Sequence, residues 1–177
     1  PPKFKSRMMS NERSIRLTEL TETDLPFVLE LYNYYTLHST AVYFIEPITL
    51  EEVRAIVPVG NPLYRSFLIR DNNDEAVGFC YFNRFKEKPA FRISVEVTIY
   101  LHPDQTGKGF GGEALCLLEL YIQMGGFTNA VALIDSANDA SIRLFKRHGY
   151  ECCASIRSVA EKGGELLTLE IYQKLFK

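Results

Sequence analysis

The stretch Leu101–Glu113 reads L-H-P-D-Q-T-G-K-G-F-G-G-E, with Gly107, Gly109, Gly111 and Gly112 inside six residues. Glycines let the backbone bend tightly and approach a ligand, because no Cβ stands in the way. An apolar-alternating run precedes them and a long apolar run follows, so the pattern predicts a strand, a glycine turn and a helix. The first amides of such a helix lack intrahelical acceptors and lie at the positive end of its dipole. That is a cradle for an anion, most often phosphate. The plainer reading is a turn that only connects strand to helix. Five residues before Leu101 stands Glu96, opposite in phase to Ile93, Val95, Val97, Ile99 and Leu101. A carboxylate so placed faces a cleft, where desolvation raises its proton affinity and suits it to work as a general base. The competing reading is a structural ion pair with Arg92 or a lysine.

The elements that must hold these residues follow from the chain in order. Ser14–Leu17 reads as a short strand. Thr21 or Thr23 caps a helix through Leu25, Val28, Leu29, Leu31 and Tyr32, and Asn33–Glu46 reads as aromatic and irregular. Thr49 with Glu52 forms a capping box for a second helix to about Val57. Tyr64–Arg70 and Ala76–Asn83 form a hairpin around Asp71–Asp74. Arg92–Leu101 is the clearest strand, and the helix after the glycine turn runs to about Met124. Val131–Ile134 is a short buried strand and Asp135–Asp139 a polar turn. Asn138 caps a helix over Ala140–His148, which Gly149 ends. Strands near Tyr150–Ser158 and Leu166–Gln173 close the chain around Lys162-Gly163-Gly164. This order predicts an α/β (α+β) fold: one mixed, mostly antiparallel twisted sheet of about seven strands, flanked by about four helices.

Composition narrows the function classes. At 177 residues, 46% hydrophobic and 24% charged, with net charge −2, the chain reads as an ordinary globular domain. No basic block calls for nucleic acid, and no apolar run suits a membrane span. Residues 1–12 are expected to form a flexible N-terminal extension with no secretory h-region, ahead of a single domain over 13–177. Cys80 and Cys116 read as core residues. The adjacent Cys152 and Cys153 lack metal-ligand spacing, so neither a zinc site nor a disulfide framework is expected, and a reducing cytoplasmic setting fits. His38, His102 and His148 show no ligand spacing.

The element order, the H-P-D-x-x-G-K-G-F-G turn and the later S-A-N-D-A-S-I-R-L-F-K-R-H-G-Y segment together resemble the GNAT superfamily of acyl-CoA-dependent N-acetyltransferases, from about Ile15 to the C-terminus. Within it the chain looks like the phosphinothricin and methionine sulfoximine N-acetyltransferase branch. Leu31-Tyr32-Asn33, Thr40-Ala41-Val42-Tyr43-Phe44 with Glu46-Pro47, and Phe85-Lys86-x-Lys88-Pro89-Ala90-Phe91-Arg92 carry that likeness. Val95-Glu96-Val97, Tyr100-Leu101-His102-Pro103 and Gln173 add to it.

The resemblance implies a transfer of acetyl from acetyl-CoA to the primary amine of a small molecule, an amino acid or an analogue such as phosphinothricin or methionine sulfoximine. It needs no metal, and homodimerisation is common in the family. Glu96 would be the base, with Tyr100 or Tyr32 as proton-relay candidates. A backbone N–H near Thr98 or Ile99 would meet the developing oxyanion. The cofactor would lie along Ile99, Leu101, Thr106, Gly107, Lys108, Gly109, Phe110, Gly111 and Gly112, and reach Asn138 and Ser141. Tyr32, Thr40, Phe44, Lys86 and Arg92 would bind the acceptor, a basic residue gripping its carboxylate. Three departures stand out. Thr106 replaces a longer Gln or Arg, Phe145 replaces a Tyr acid, and Leu166 and Thr168 stand where the branch tends to carry Trp and Asp. Thr106 and Phe145 leave a second reading, an acyl-CoA-binding module with weak or no catalysis, while Leu166 and Thr168 bear on the acceptor. A nucleotide P-loop is a poorer third, because G-K-G-F-G-G lacks the G-K-[ST] ending.

Overall fold

A computed structural model describes residues 13–177; the expected extension over 1–12 lies outside the described residues. Seven strands form one sheet: β1 (Ile15–Glu19), β2 (Ser66–Asp71), β3 (Ala76–Arg84), β4 (Ser94–Leu101), β5 (Asn129–Asp135), β6 (Glu151–Lys162) and β7 (Glu165–Leu175). Their spatial order is β1-β2-β3-β4-β5-β7-β6, and only β4 and β5 run parallel. The helices are α1 (Leu25–His38), α2 (Leu50–Ile56), α3 (Phe110–Met124) and α4 (Asp139–Arg147). The predicted element order and the mixed, mostly antiparallel sheet are both present.

The two faces of the sheet bury separate cores. Val95 and Val97 of β4 join Phe82, Leu115, Leu118 and Phe145 on the side of α3 and α4. Phe79 and Tyr81 of β3 join Leu25, Val28, Tyr32 and Val53 on the side of α1 and α2, with Tyr100 packed against them. The period-two alternation of β4 sets this division, because one strand feeds apolar groups to one face and Glu96, Thr98 and Tyr100 to the other.

Local signals hold where short-range chemistry decides. The Thr49–Glu52 capping box is formed, with both reciprocal hydrogen bonds. Asn138 caps α4 by accepting from the Ser141 N–H at 3.2 Å. Gly149 stands just past α4 at φ 83°.

Three expectations need correction. α1 does not stop near Tyr32 but runs to His38, because Tyr32, Tyr35 and Thr36 continue its apolar stripe and the two tyrosine rings pack on Tyr100 at 5.4 and 5.3 Å. Cys116 is exposed rather than core, since α3 turns Ala114, Leu115, Leu118 and Ile122 inward and Cys116 away. Asp135 is not a solvated turn residue but the buried last residue of β5, 3% exposed.

Candidate active site

The β4–β5 ladder holds for three residue pairs, from Ser94–Asn129 to Glu96–Val131, and then stops. Beyond it β4 stays paired with β3 while β5 stays paired with β7. The sheet therefore splays between β4 and β5. A cleft of about 1380 Å³ opens there, walled by β4, β5, the glycine turn, α4 and the loop after α1.

The strand backbone lines this opening with donors. The His102 N–H donates to Val77 O across β3 at 2.8 Å. By strand alternation, the N–H groups of Ile99 and Leu101, beyond the last β4–β5 pair, point the other way, into the splay. Ile99 is thus the better placed of the two oxyanion candidates, Thr98 and Ile99. On the same edge, Leu101 O accepts from the Tyr35 hydroxyl at 2.6 Å.

At one end lies the glycine turn. Gly107 and Gly109 adopt φ values of 74° and 85° and have open space where a Cβ would stand. Gly109 is the N-cap of α3 and supplies no side-chain cap; the first helical bond runs from Glu113 N to Gly109 O at 3.2 Å. The amides of Phe110, Gly111 and Gly112 thus have no intrahelical acceptor. The Glu113 carboxylate is engaged by Ser14, accepting from its N–H at 2.9 Å and from its hydroxyl. A Cβ on Gly112 would stand 2.9 Å from His148 Cε1, so this glycine lets α3 and α4 close up. Arg143 and Arg147 of α4 also line the cleft and add positive charge that sequence reasoning missed.

At the other end the side chains are aromatic and acidic. Burial raises the proton affinity of Glu96, and the nearby Lys86 ammonium partly offsets this. Among the described residues Glu96 forms no ion pair, neither with Arg92 nor with a lysine. Tyr43 is pushed up to about 12 by burial, with the carboxylates of Asp135 and Glu96 adding to the effect. The Tyr32 and Tyr81 hydroxyls are hydrogen-bonded to each other, and burial raises both. The buried Tyr100 hydroxyl, also raised by burial, donates to Ala41 O at 2.8 Å. The Thr40 hydroxyl donates to the Asp135 carboxylate.

Of the residues singled out from sequence, Glu96, Tyr100, Ile99, Leu101, Thr106, Gly107, Gly109, Gly111, Gly112, Asn138, Ser141, Tyr32, Thr40 and Phe44 all line this one cleft. Lys108, Phe110, Lys86 and Arg92 do not. Lys108 donates to Gln105 Oε1 at 2.9 Å, and Phe110 packs against the core. Lys86 lies over the Phe85 ring at 5.4 Å. Arg92 is exposed and reaches back to Pro89 O at 3.5 Å. Thr106 spends its hydroxyl on Pro103 O at 3.0 Å, so the turn's grip is a backbone property. Phe145, 4% exposed, stacks edge-on to Tyr150 at 4.9 Å. Sequence reasoning missed Tyr81, Tyr35 and Asp135. Tyr81 had one available signal, its place opposite Thr98 once the β3–β4 hairpin register is assumed.

A splayed parallel pair, an uncapped glycine turn at a helix start and a buried strand carboxylate thus meet in one cleft. Residues 14–151 match the family described as the acetyltransferase (GNAT) domain. The chain belongs to that family and is an N-acetyltransferase. It is similar to the phosphinothricin N-acetyltransferase of Streptomyces coelicolor, at 29% identity over 94% of this chain and 99% of that one. It is 31% identical to the L-methionine sulfoximine/L-methionine sulfone acetyltransferase of Pseudomonas aeruginosa, over 85% of this chain and 88% of the other. Among solved structures it resembles the GNAT phosphinothricin acetyltransferase of Sinorhizobium meliloti in complex with acetyl-CoA. There the TM-score is 0.85 at 26% identity, covering 93% of this chain and 89% of that one. Among the described residues no helix is long and apolar enough to cross a membrane.

Proposed function

We propose that residues 13–177 form one acetyltransferase domain that moves an acetyl group from acetyl-CoA to the primary amine of a small molecule. The acceptor in this reading is an amino acid or an analogue such as phosphinothricin or methionine sulfoximine. The observation that carries it is the single cleft joining the free amides of the glycine turn to the Glu96 carboxylate through the β4–β5 splay. The residues present fit such a donor. The turn offers amides and open space for a pyrophosphate, with Arg143 and Arg147 adding charge. Asn138 spends its side-chain oxygen on its own helix and keeps its NH₂ for the ligand.

Acetyl-CoA, when bound, supplies the activated acetyl group. Glu96 takes the proton that the acceptor's ammonium must lose, directly or through one water. The Ile99 N–H meets the negative charge that develops on the carbonyl oxygen. As the C–N bond forms the C–S bond breaks, and Phe145 offers no proton to the departing sulfur. A thiol is a fair leaving group near neutral pH, so the thiolate takes its proton from solvent, to which the acylated nitrogen gives up its second proton. Tyr100 acts by holding the Ala41 carbonyl, and Lys86 acts on Glu96 through its charge.

The names of the relatives support the acceptor class. A homodimer belongs to the same reading, supported by exposed Ile156, Val159 and Leu166 on the β6–β7 hairpin. Light scattering tests it, a mass twice that of the chain being expected. A cytoplasmic setting is supported by the free thiols of all four cysteines. The deciding experiment is a thiol-release assay over amines that include phosphinothricin, methionine sulfoximine and free amino acids. Turnover of at least one, lost in Glu96→Gln, is expected. Acetyl-CoA binding with no turnover on any amine, unchanged in Glu96→Gln, would overturn the reading in favour of a sensor.

A further inference from the structure

The loop between α1 and α2 forms one wall of the acceptor end, where Thr40, Tyr43 and Phe44 face the cleft. It is held in place by groups from outside its own helices. The Thr40 hydroxyl donates to Asp135 of β5, and Ala41 O accepts from Tyr100 of β4. The third tie comes from the far edge of the sheet. Lys162 Nζ donates to Ser39 O at 2.8 Å and to Val42 O at 2.7 Å, across 123 and 120 residues of chain.

That ammonium is oddly placed for a structural role in its own hairpin. Lys162 pairs with Glu165 through the β6–β7 backbone ladder, whatever its side chain. Gly163 and Gly164 close the turn with φ values of 60° and 82°. Among the described residues Lys162 has no carboxylate within ion-pair distance. Its charge is part-desolvated, and burial lowers its proton affinity. What it does hold is two carbonyls, one on each side of Thr40 and Ala41. An ammonium spans such a pair well, because its three donors are free to rotate. With both carbonyls fixed, the intervening residues cannot swing away from the cleft.

We propose that Lys162 is a positioning residue for the acceptor: by clamping the Ser39 and Val42 carbonyls it fixes the wall formed by Thr40, Tyr43 and Phe44, and so sets the affinity for the amine. This rests on the acceptor end being where the proposed function puts it. The β6–β7 hairpin thereby becomes part of the site although it contributes no group to the cleft lining. The donor end, built from the glycine turn and α4, is independent of it.

The test compares wild type, Lys162→Met and Lys162→Arg by hydrogen exchange and by steady-state kinetics. In Lys162→Met the amides of residues 40–46 are expected to exchange faster, while those of β2 and β3 stay as in wild type. Loss of this positioning is read as a rise in acceptor KM of about tenfold, with kcat and the acetyl-CoA KM within about twofold. Lys162→Arg, which keeps the charge and the donors, is expected to restore most of both. Unchanged exchange in the loop, or equal rises in both KM values, would overturn the proposal. A lower melting temperature with neither change would also overturn it, as a purely structural lysine behaves that way. Failure of wild type to turn over any amine counts against the proposed function, and the exchange comparison then decides the role of Lys162 alone.

Discussion

Glu96 is pulled in opposite directions, upward in proton affinity by burial and downward by the Lys86 ammonium. Both effects are measurable. A general base contributes about 10²–10⁴-fold, so Glu96→Gln is expected to lower kcat/KM by that much with little change in acetyl-CoA affinity. Activity rises with pH as Glu96 loses its proton, so the acidic limb of the wild-type profile lies above the ordinary carboxylate range. Lys86→Met removes the one group among the described residues that lowers it, and the limb is expected to move to still higher pH. Stability runs the other way. The native state holds the Glu96 proton more tightly than the unfolded chain does. The favourable term is therefore complete below the ordinary Glu value of about 4.3 and is lost as pH rises through the raised native value. Glu96→Gln escapes that loss. Its melting temperature is expected to exceed wild type above that window, with the gain shrinking as pH falls through it. A denaturation series in pH checks the sign; a variant less stable at neutral pH would mean that Glu96 is paired, not stranded.

The glycine turn and the two helix caps show what short stretches of sequence can and cannot declare. Gly109 was legible because an N-cap at φ 85° with open space beside it needs no Cβ, and Asn138 because a cap depends on residues three apart. Gly109→Val puts a β-branched residue in the left-handed region, at a backbone cost of about 1–3 kcal/mol, and fills the approach to the amides. Loss of acetyl-CoA binding by calorimetry, in a protein that still melts cooperatively, is the expected outcome. Binding that survived would mean that the turn is a mere connection. Asn138→Ala should cost about 1 kcal/mol through the lost cap and weaken acetyl-CoA binding as well, while acceptor KM stays nearly constant. The length of α1 was not legible, because Tyr35 packs on Tyr100 of β4 and Thr36 is buried, which no local pattern contains. Asp135 failed for a related reason. A run of D-S-A-N-D reads as a solvated turn until β5 is known to end beneath the Thr40 loop.

The whole molecule is a sheet that parts in the middle, with a separate core on each face. The order of elements along the chain was legible from periodicity and turns, whereas the place of β7 between β5 and β6 and the splay were not, since the splay exists only in the pairing of β4 with β5 across the intervening α3. Its cost is plain: beyond the last β4–β5 pair the Ile99 and Leu101 amides have no ladder partner in β5, and the two halves of the sheet are not joined there by hydrogen bonds. A ligand that fills this gap reconnects β3–β4 to β5–β7, and one that binds only the native state adds its binding energy to folding. At about 100 times its Kd, acetyl-CoA adds roughly 2.7 kcal/mol. For a chain of this length that raises the melting temperature by about 5–10 °C. The size of the shift alone does not locate the ligand, but two variants do. In Gly109→Val the shift is expected to vanish, because the amides no longer receive the anion. In Lys162→Met it is expected to persist in full, because the acceptor wall lies at the other end of the cleft. If the shift were absent in wild type at saturating acetyl-CoA, the splay would be a gap in the sheet and not a donor site.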